Sequence, residues 1–248
     1  MGNKYWIDVA SHDIEACNVL RNNKLYAQSL FYFQQSIEKC SKYIGLEMGG
    51  FSDKELKEIS HNPIKLFKKM AKKINKENDS YDSQYWDNEL TESQKIITTA
   101  NEDDAVNVFK VIVARDLSDI PTFEEETLKD YLRGLIEAHT PDIDKNELCI
   151  LLEQEFHGKE KEYVMQMFLI DNHGERVLIF LLMISLLLSR FKVDDFRYPS
   201  QEYGNPNDYF NEGRALVKEL GNLIIIMESY VLPMTKLIRW KFDDEEMM

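Results

Sequence analysis

The sequence predicts an all-α protein. Three observations lead there. Its 248 residues include 10 Gly and 6 Pro, too few for a sheet joined by tight turns. Hydrophobic residues make up 44% of the chain and aromatics 11%, enough to fill a core. The apolar positions recur at steps of three and four, the helical period, rather than at steps of two.

A first helix is expected from about Lys4 to Asn22, with Trp6, Val9, Ala10, Cys17 and Leu20 on one apolar face. Asp13 falls inside that stripe. It is either a buried carboxylate satisfied by a partner or the border of a polar site. Asn22-Asn23 breaks the pattern, and a second helix follows from about Leu25 to Met48. Its apolar face is Tyr26, Leu30, Phe33, Ile37, Cys40, Ile44 and Met48, and Gly49-Gly50 ends it. So short a link makes the pair an antiparallel hairpin.

Asn62 as cap and Pro63 at the first helical position open the next helix, which reaches about Lys76. Lys65, Lys68, Lys69, Lys72, Lys73 and Lys76 share one side of it, and Phe67, Met70, Ala71 and Ile74 the other. A polar loop is expected from 77 to 85, then helices near Glu92–Asp116, Phe123–His139, Asp144–Phe156 and Glu160–Asp171. An apolar helix from about Gly174 to Phe191 leads into a loop through Asn205. One long helix, from about Pro206 to Leu232, is then interrupted by Pro233. The tail, 236–248, ends in Asp243-Asp244-Glu245-Glu246 and is expected to be solvated.

The most apolar run, Val177 to Leu188, would extend roughly 18 Å as a helix against a bilayer core of about 30 Å. A buried helix is expected, and no membrane association. The amino terminus has polar and acidic residues where a leader would be apolar, so secretion is not expected. Cys17, Cys40 and Cys149 are far apart and form no CxxC pair, which fits reduced cysteines in a cytoplasmic protein. Cys149 and His157 lack companions at metal-ligand spacing, and no Walker loop, dinucleotide glycine pattern, HExxH, EF-hand loop or Gly-x-Ser-x-Gly occurs. Neither a metal nor a cofactor is expected. The net charge of −14 is uneven: 13 Lys/Arg against 8 Asp/Glu in residues 1–76 leave +5, and 17 against 36 in the remainder leave −19. Contact with a polyanion belongs in the first third of the chain.

Several segments carry a family resemblance. Asp13-Ile14-Glu15-Ala16 followed by Tyr26-Ala27-Gln28-Ser29-Leu30 is similar to the opening hairpin of HEPN domains. Gln34-Gln35-Ser36-Ile37-Glu38-Lys39-Cys40-Ser41-Lys42 resembles that family's Gln-Gln-x-x-Glu-Lys-x-x-Lys signature, the most specific of the matches. Ser60-His61-Asn62-Pro63-Ile64-Lys65-Leu66 resembles its Thr-His-Asp-Leu turn. Arg197-Tyr198-Pro199 resembles the Arg-Tyr-Pro that precedes its last helix. The resemblance implies an antiparallel up-and-down helical bundle, HEPN-like, from 1–76 plus 174–235, with 77–173 as an additional helical insertion. It also implies a homodimer, RNA or a nucleotide as ligand, and a nucleotidyltransferase-type partner protein in a toxin-antitoxin or antiphage-type system.

Many ribonucleases of this family use an Arg and a His with four to six residues between them. Here that spacing occurs as Arg133 and His139, inside the expected insertion. Six residues turn a helix through about 600°, which separates the two side chains. The chain is therefore read as a nucleotide-, RNA- or partner-binding module without an intact ribonuclease motif, not as an enzyme. One alternative is a metal-independent endoribonuclease with atypically placed catalytic residues. Another is a helical scaffold recruiting a partner through the insertion.

The candidate ligand or phosphate-binding residues are Asp13, Gln34, Glu38, Lys42, His61, Lys65 and Arg197. His61 precedes a helix start, where free N–H groups favour an anion, with Lys65 one turn inside. The pair either holds a phosphate or merely packs at the end of the bundle. Gln34, Glu38 and Lys42 recur every four residues, and with Asp13 they form either a site or a network locking the hairpin. The lysine stripe from Lys65 to Lys76 tracks a nucleic-acid backbone, docks on an acidic surface of the same protein, or is simply a solvated face.

Overall fold

The opening hairpin forms where the apolar period places it, and small residues set how closely its helices approach. A computed structural model describes residues 4–47, 51–59, 63–77, 91–92, 94–117 and 176–238. Helix α1 spans Lys4–Asn22 and α2 spans Tyr26–Glu47. The turn between them is closed by hydrogen bonds from Leu25 N to Leu20 O and from Lys24 N to Arg21 O, both 2.9 Å. Lys24 sits at φ 61°, the left-handed position that usually takes Gly in this type of cap.

Side-chain hydroxyls then fix the hairpin register. Ser36 Oγ donates to the Ala10 carbonyl at 2.9 Å and Ser29 Oγ to that of Cys17 at 2.7 Å. The buried face of α1 is Ile7, Ala10, Ile14 and Cys17, rotated from the predicted stripe. Val9 is 41% exposed, and Trp6 and Leu20 are half-buried. A period count weighs every apolar residue alike, whereas packing selects the face on which Ile7 and Ile14 flank Ala10 and Cys17. On α2 the prediction holds for Leu30, Phe33, Ile37, Cys40 and Ile44, all buried.

A short helix that the period does not announce follows, α3 at Asp53–Ile59. Its signal is a capping box: Glu55 N donates to Ser52 Oγ, and Ser52 N donates back to the Glu55 carboxylate at 2.8 Å. Helix α4, Pro63–Glu77, buries Ile64, Leu66, Phe67 and Met70. It packs tightly because α2 presents Gly45, where an added Cβ would lie 2.9 Å from Leu66 Cδ1.

The single helix expected over 92–116 is divided. Residues 94–99 are helical, and α5 starts afresh at Glu102–Leu117, because the Asn101 side chain accepts a hydrogen bond from Asp104 N at 2.8 Å and caps it. The guanidinium of Arg190 closes the preceding segment through the carbonyls of Ile97 and Ala100. Ala105, Val106 and Phe109 face the common core, and Phe109 meets Phe180 edge to face at 5.9 Å.

The apolar helix α6 is described over 176–188 and ends short of the predicted Phe191. There Ser189 N and Oγ bond to Leu186 O and the chain tightens into a turn. A 3-10 turn, Val193–Phe196, occupies part of the expected loop. Phe191, Phe196, Tyr203, Tyr209 and Phe210 then form one aromatic cluster, with ring centroids 4.7–6.3 Å apart. The cluster also breaks the long helix expected from Pro206. Instead α7 is a single turn, Pro206–Tyr209, capped by Asn205, and α8 begins at Ala215 and runs to Ile226.

At Pro233 the helix changes its winding and does not end. A π-helical stretch, Met227–Val231, widens the helix immediately before it, and α9 continues as Leu232–Ile238. The wider turn leaves room for the proline ring and needs no N–H from it. Helices α8 and α9 pack on α1 and α2, and α8 also packs on α5. Both ends of the described chain therefore share one helical body. Among the described residues there is no strand beyond an isolated Ser200–Gly204 bridge, and no helix is long and apolar enough to cross a membrane. The helices expected at 123–139, 144–156 and 160–171, and residues 239–248 of the acidic tail, lie outside the described residues.

Glu102 joins α5 to α8. Its buried carboxylate accepts from Leu216 N at 3.1 Å, at the start of α8, and pairs with the guanidinium of Arg214, which lies 4.1 Å over the Tyr209 ring. We expect Glu102→Ala to lower the urea-unfolding free energy by about 2–3 kcal/mol with an unchanged m-value, since it leaves a helix N-terminus and a half-buried cation unpaired. Cys17 and Cys40 are fully buried, and burial pushes both thiols up to about 12. In a Cys149→Ser variant we expect neither to react with a disulfide reagent at about pH 8 until denaturant is added.

Candidate functional site

The carboxyl-terminal half of α2 carries residues of opposing charge a turn apart, and the hairpin geometry pairs them. Side chains lean toward the N-terminus of their own helix, so in an antiparallel pair Lys39 on α2 and Asp13 on α1 lean toward the level where Ser36 meets Ala10. They form a salt bridge there, with side chains 16% and 12% exposed. One turn on, Lys42 Nζ lies 2.6 Å from Glu38 Oε1, a pair still more buried at 11% and 7%. The Lys42 ammonium also stands 5.4 Å from the centroid of the Trp6 ring. Two ammonium groups are thus held beside an indole at the open end of the first hairpin.

These charges border a cavity of about 430 Å³ between the start of α1, the end of α2 and α3, lined by Tyr5, Trp6, Val9, Lys39, Lys42, Leu56 and Lys57. Each ammonium has three N–H donors, one of which meets its carboxylate, so the others can meet a ligand. Buried ion pairs add little net stability against their desolvation, so the pairing either marks a site or locks the register of the hairpin. Burial pushes the Asp13 carboxyl above its ordinary value of 3.8, against the hydrogen bond and charge of Lys39, which pull it down.

Of the sequence-predicted residues, Asp13, Glu38 and Lys42 meet here. Gln34 does not: it lines a separate cavity of about 180 Å³ with Pro63, Ile64, Gln94, Ser185 and Lys192, and its buried Oε1 has no hydrogen-bond partner among the described residues. Arg197 is exposed, its guanidinium 5.2 Å from the Phe31 ring and 5.0 Å from that of Tyr198. Phe31 precedes Lys39 by eight residues, about 12 Å along the helix, so Arg197 is not part of the cluster. Lys65 donates to the Glu58 carbonyl at 3.2 Å, Lys68 to Thr91 Oγ1 at 2.6 Å, and Lys69 lies 4.0 Å from the Glu58 carboxylate. The side chains of Lys72, Lys73 and Lys76, and residues His61, Arg133 and His139, lie outside the described residues. Among those described, no group of three or more His, Cys, Asp and Glu could hold a metal ion.

Lys39, Lys57, Tyr5 and Trp6 as cavity walls went unread in the sequence. Lys39 carries a usable signal, since the hairpin register and the lean of helical side chains together place it against Asp13. Trp6 was assigned to the core by period alone.

The fold and the site define an all-helical bundle with a cation-lined cleft in its first hairpin. The chain belongs to the HEPN domain family, whose model matches residues 3–134, over half of the sequence and all of α1 to α5. At family level this makes it a nucleotide- or RNA-related module. No curated protein and no solved structure matches the chain.

Because burial raises Asp13, the native protein takes up this proton more readily than the unfolded chain does. The group's contribution to stability therefore grows as pH falls from above the raised value toward 3.8. We expect the wild type to gain stability relative to Asp13→Asn over that window, measured as urea midpoints between about pH 7 and pH 4.

Proposed function

We propose that this protein is a nucleotide- or RNA-binding HEPN module that acts by binding rather than by cleavage. The observation that carries the reading is the pair of ammonium groups, Lys39 and Lys42, held by carboxylates at the mouth of the cleft in the first hairpin. Membership of the family and the +5 charge of residues 1–76, in a chain of net charge −14, support it. The exposed Lys65 and the neighbouring lysines of α4 extend the basic surface along which a phosphate backbone would run.

In this reading the bundle comprises 1–76 plus 174–235, with 77–173 as an added helical region from which residues 94–117 contribute to the shared core. The module pairs as a homodimer and works beside a nucleotidyltransferase-type partner protein in a toxin-antitoxin or antiphage-type system. Those roles follow from the family and not from the geometry.

The test is binding of a fluorescently labelled single-stranded RNA by anisotropy at increasing salt. The wild type should bind with an affinity that falls steeply with salt. A Lys65→Glu/Lys68→Glu/Lys72→Glu variant should bind more weakly, its log-log salt slope shallower by about 0.7 for each phosphate it no longer neutralises. A variant that binds as the parent does at every salt concentration removes α4 from the reading, and metal-independent cleavage of the RNA replaces binding with catalysis.

A further inference from the structure

We propose that the cleft at the open end of the first hairpin is a mononucleotide site, in which a nucleobase stacks against Trp6 and Tyr5 and its 5′-phosphate meets Lys39, Lys42 and Lys57. The proposal rests on the nucleotide reading above and adds to it a place, a size and a mode of recognition.

Three features carry it. The first is shape: at about 430 Å³ the cleft is near the lower end of the roughly 300–1,000 Å³ of small-molecule sites, room for one nucleotide. The second is the division of its lining. Tyr5, Trp6, Val9 and Leu56 form apolar walls, and Tyr5 is 68% exposed, so a planar ring can lie against indole and phenol without displacing core. Every base has a π-face, and aromatic side chains are the usual platform for it.

The third is the placement of charge. Lys39 and Lys42 stand three residues apart on α2, on one side of the cleft, and the exposed Lys57 comes from α3 on another. Asp13 and Glu38 stand behind the two α2 lysines and fix their ammonium groups before any ligand arrives, which reduces the ordering that binding would otherwise require. Lys57 makes no ion pair among the described residues and is available to an anion directly. A neutral aromatic ligand would leave the three ammonium groups unused, and inorganic phosphate alone would leave the apolar walls unused. A nucleoside monophosphate uses both.

The same chemistry is offered by a free nucleotide and by the 5′-phosphorylated end of an RNA. The experiment uses the full chain with Trp86→Phe and Trp240→Phe, so that Trp6 is the one remaining indole, and follows its fluorescence during titration with AMP, adenosine or inorganic phosphate. AMP should quench Trp6 saturably, and adenosine and phosphate should each bind about tenfold more weakly or worse. Lys57→Gln, a change at an exposed position, should weaken AMP about threefold to tenfold, and in a chain that keeps Trp86 and Trp240, Trp6→Leu should abolish AMP binding measured calorimetrically.

A 5′-phosphorylated oligonucleotide that competes with AMP, where its 5′-hydroxyl counterpart does not, assigns the site to RNA ends; competition by neither assigns it to free nucleotides. AMP binding that leaves Trp6 fluorescence and the Lys57→Gln affinity unchanged overturns the site. If labelled RNA still binds in a salt-dependent way while AMP does not bind, this inference fails and the broader reading survives; if neither binds, both fail.

Discussion

The burial of α2 on almost every side is the constraint on which the rest of the structure depends. A helix in that position has no solvent to satisfy its polar residues, yet it carries Ser29, Ser36, Glu38, Ser41 and Lys42 among its buried residues. Each must find an internal partner or cost stability. The serines do so through backbone carbonyls, two of them on α1, and thereby lock the hairpin register. The charged residues pair with each other. Helices α1, α4, α8 and α9 and the 3-10 turn all pack on α2 and together bury it.

The polar links outside α2 follow the same logic on a smaller scale. Arg190 ends the 94–99 segment through backbone carbonyls, and Glu102 caps α8 from the neighbouring α5. Both join segments about a hundred residues apart in sequence. Apolar packing supplies most of the adhesion between helices, but it is indifferent to small rotations and shifts. Directional bonds between a buried charge and a helix end remove that freedom, which is what a cleft needs if its walls come from three different helices.

The proposed function rests on what that packing leaves exposed. At the start of α1, Ile7 and Ala10 face the core, so Tyr5 and Val9 on the other side keep much of their surface and Trp6 is half covered. Beside them stand ammonium groups oriented by carboxylates at their rear. The proposed aromatic anion site rests on that apolar wall and the adjoining cations, and both lie within the segment that matches the HEPN domain family.

The amino-acid sequence by itself determined the all-α class, the opening hairpin, the start of α4 at Pro63 and the Glu38–Lys42 pair. All of these are set by interactions within a few residues: the helical period, a cap, a proline, an i,i+4 spacing. Local signals also existed for α3, in the Ser52–Glu55 capping box, and for the break at Asn101, but neither stands out until a neighbour makes use of it. What the tertiary structure alone decided was which face of α1 is core, that Arg197 and Gln34 stand apart from Asp13, and that Pro233 is passed by a π-helical turn rather than ending the helix. These depend on where distant helices come to rest. Periodicity records which residues are apolar, but the partner helix fixes which of them are covered.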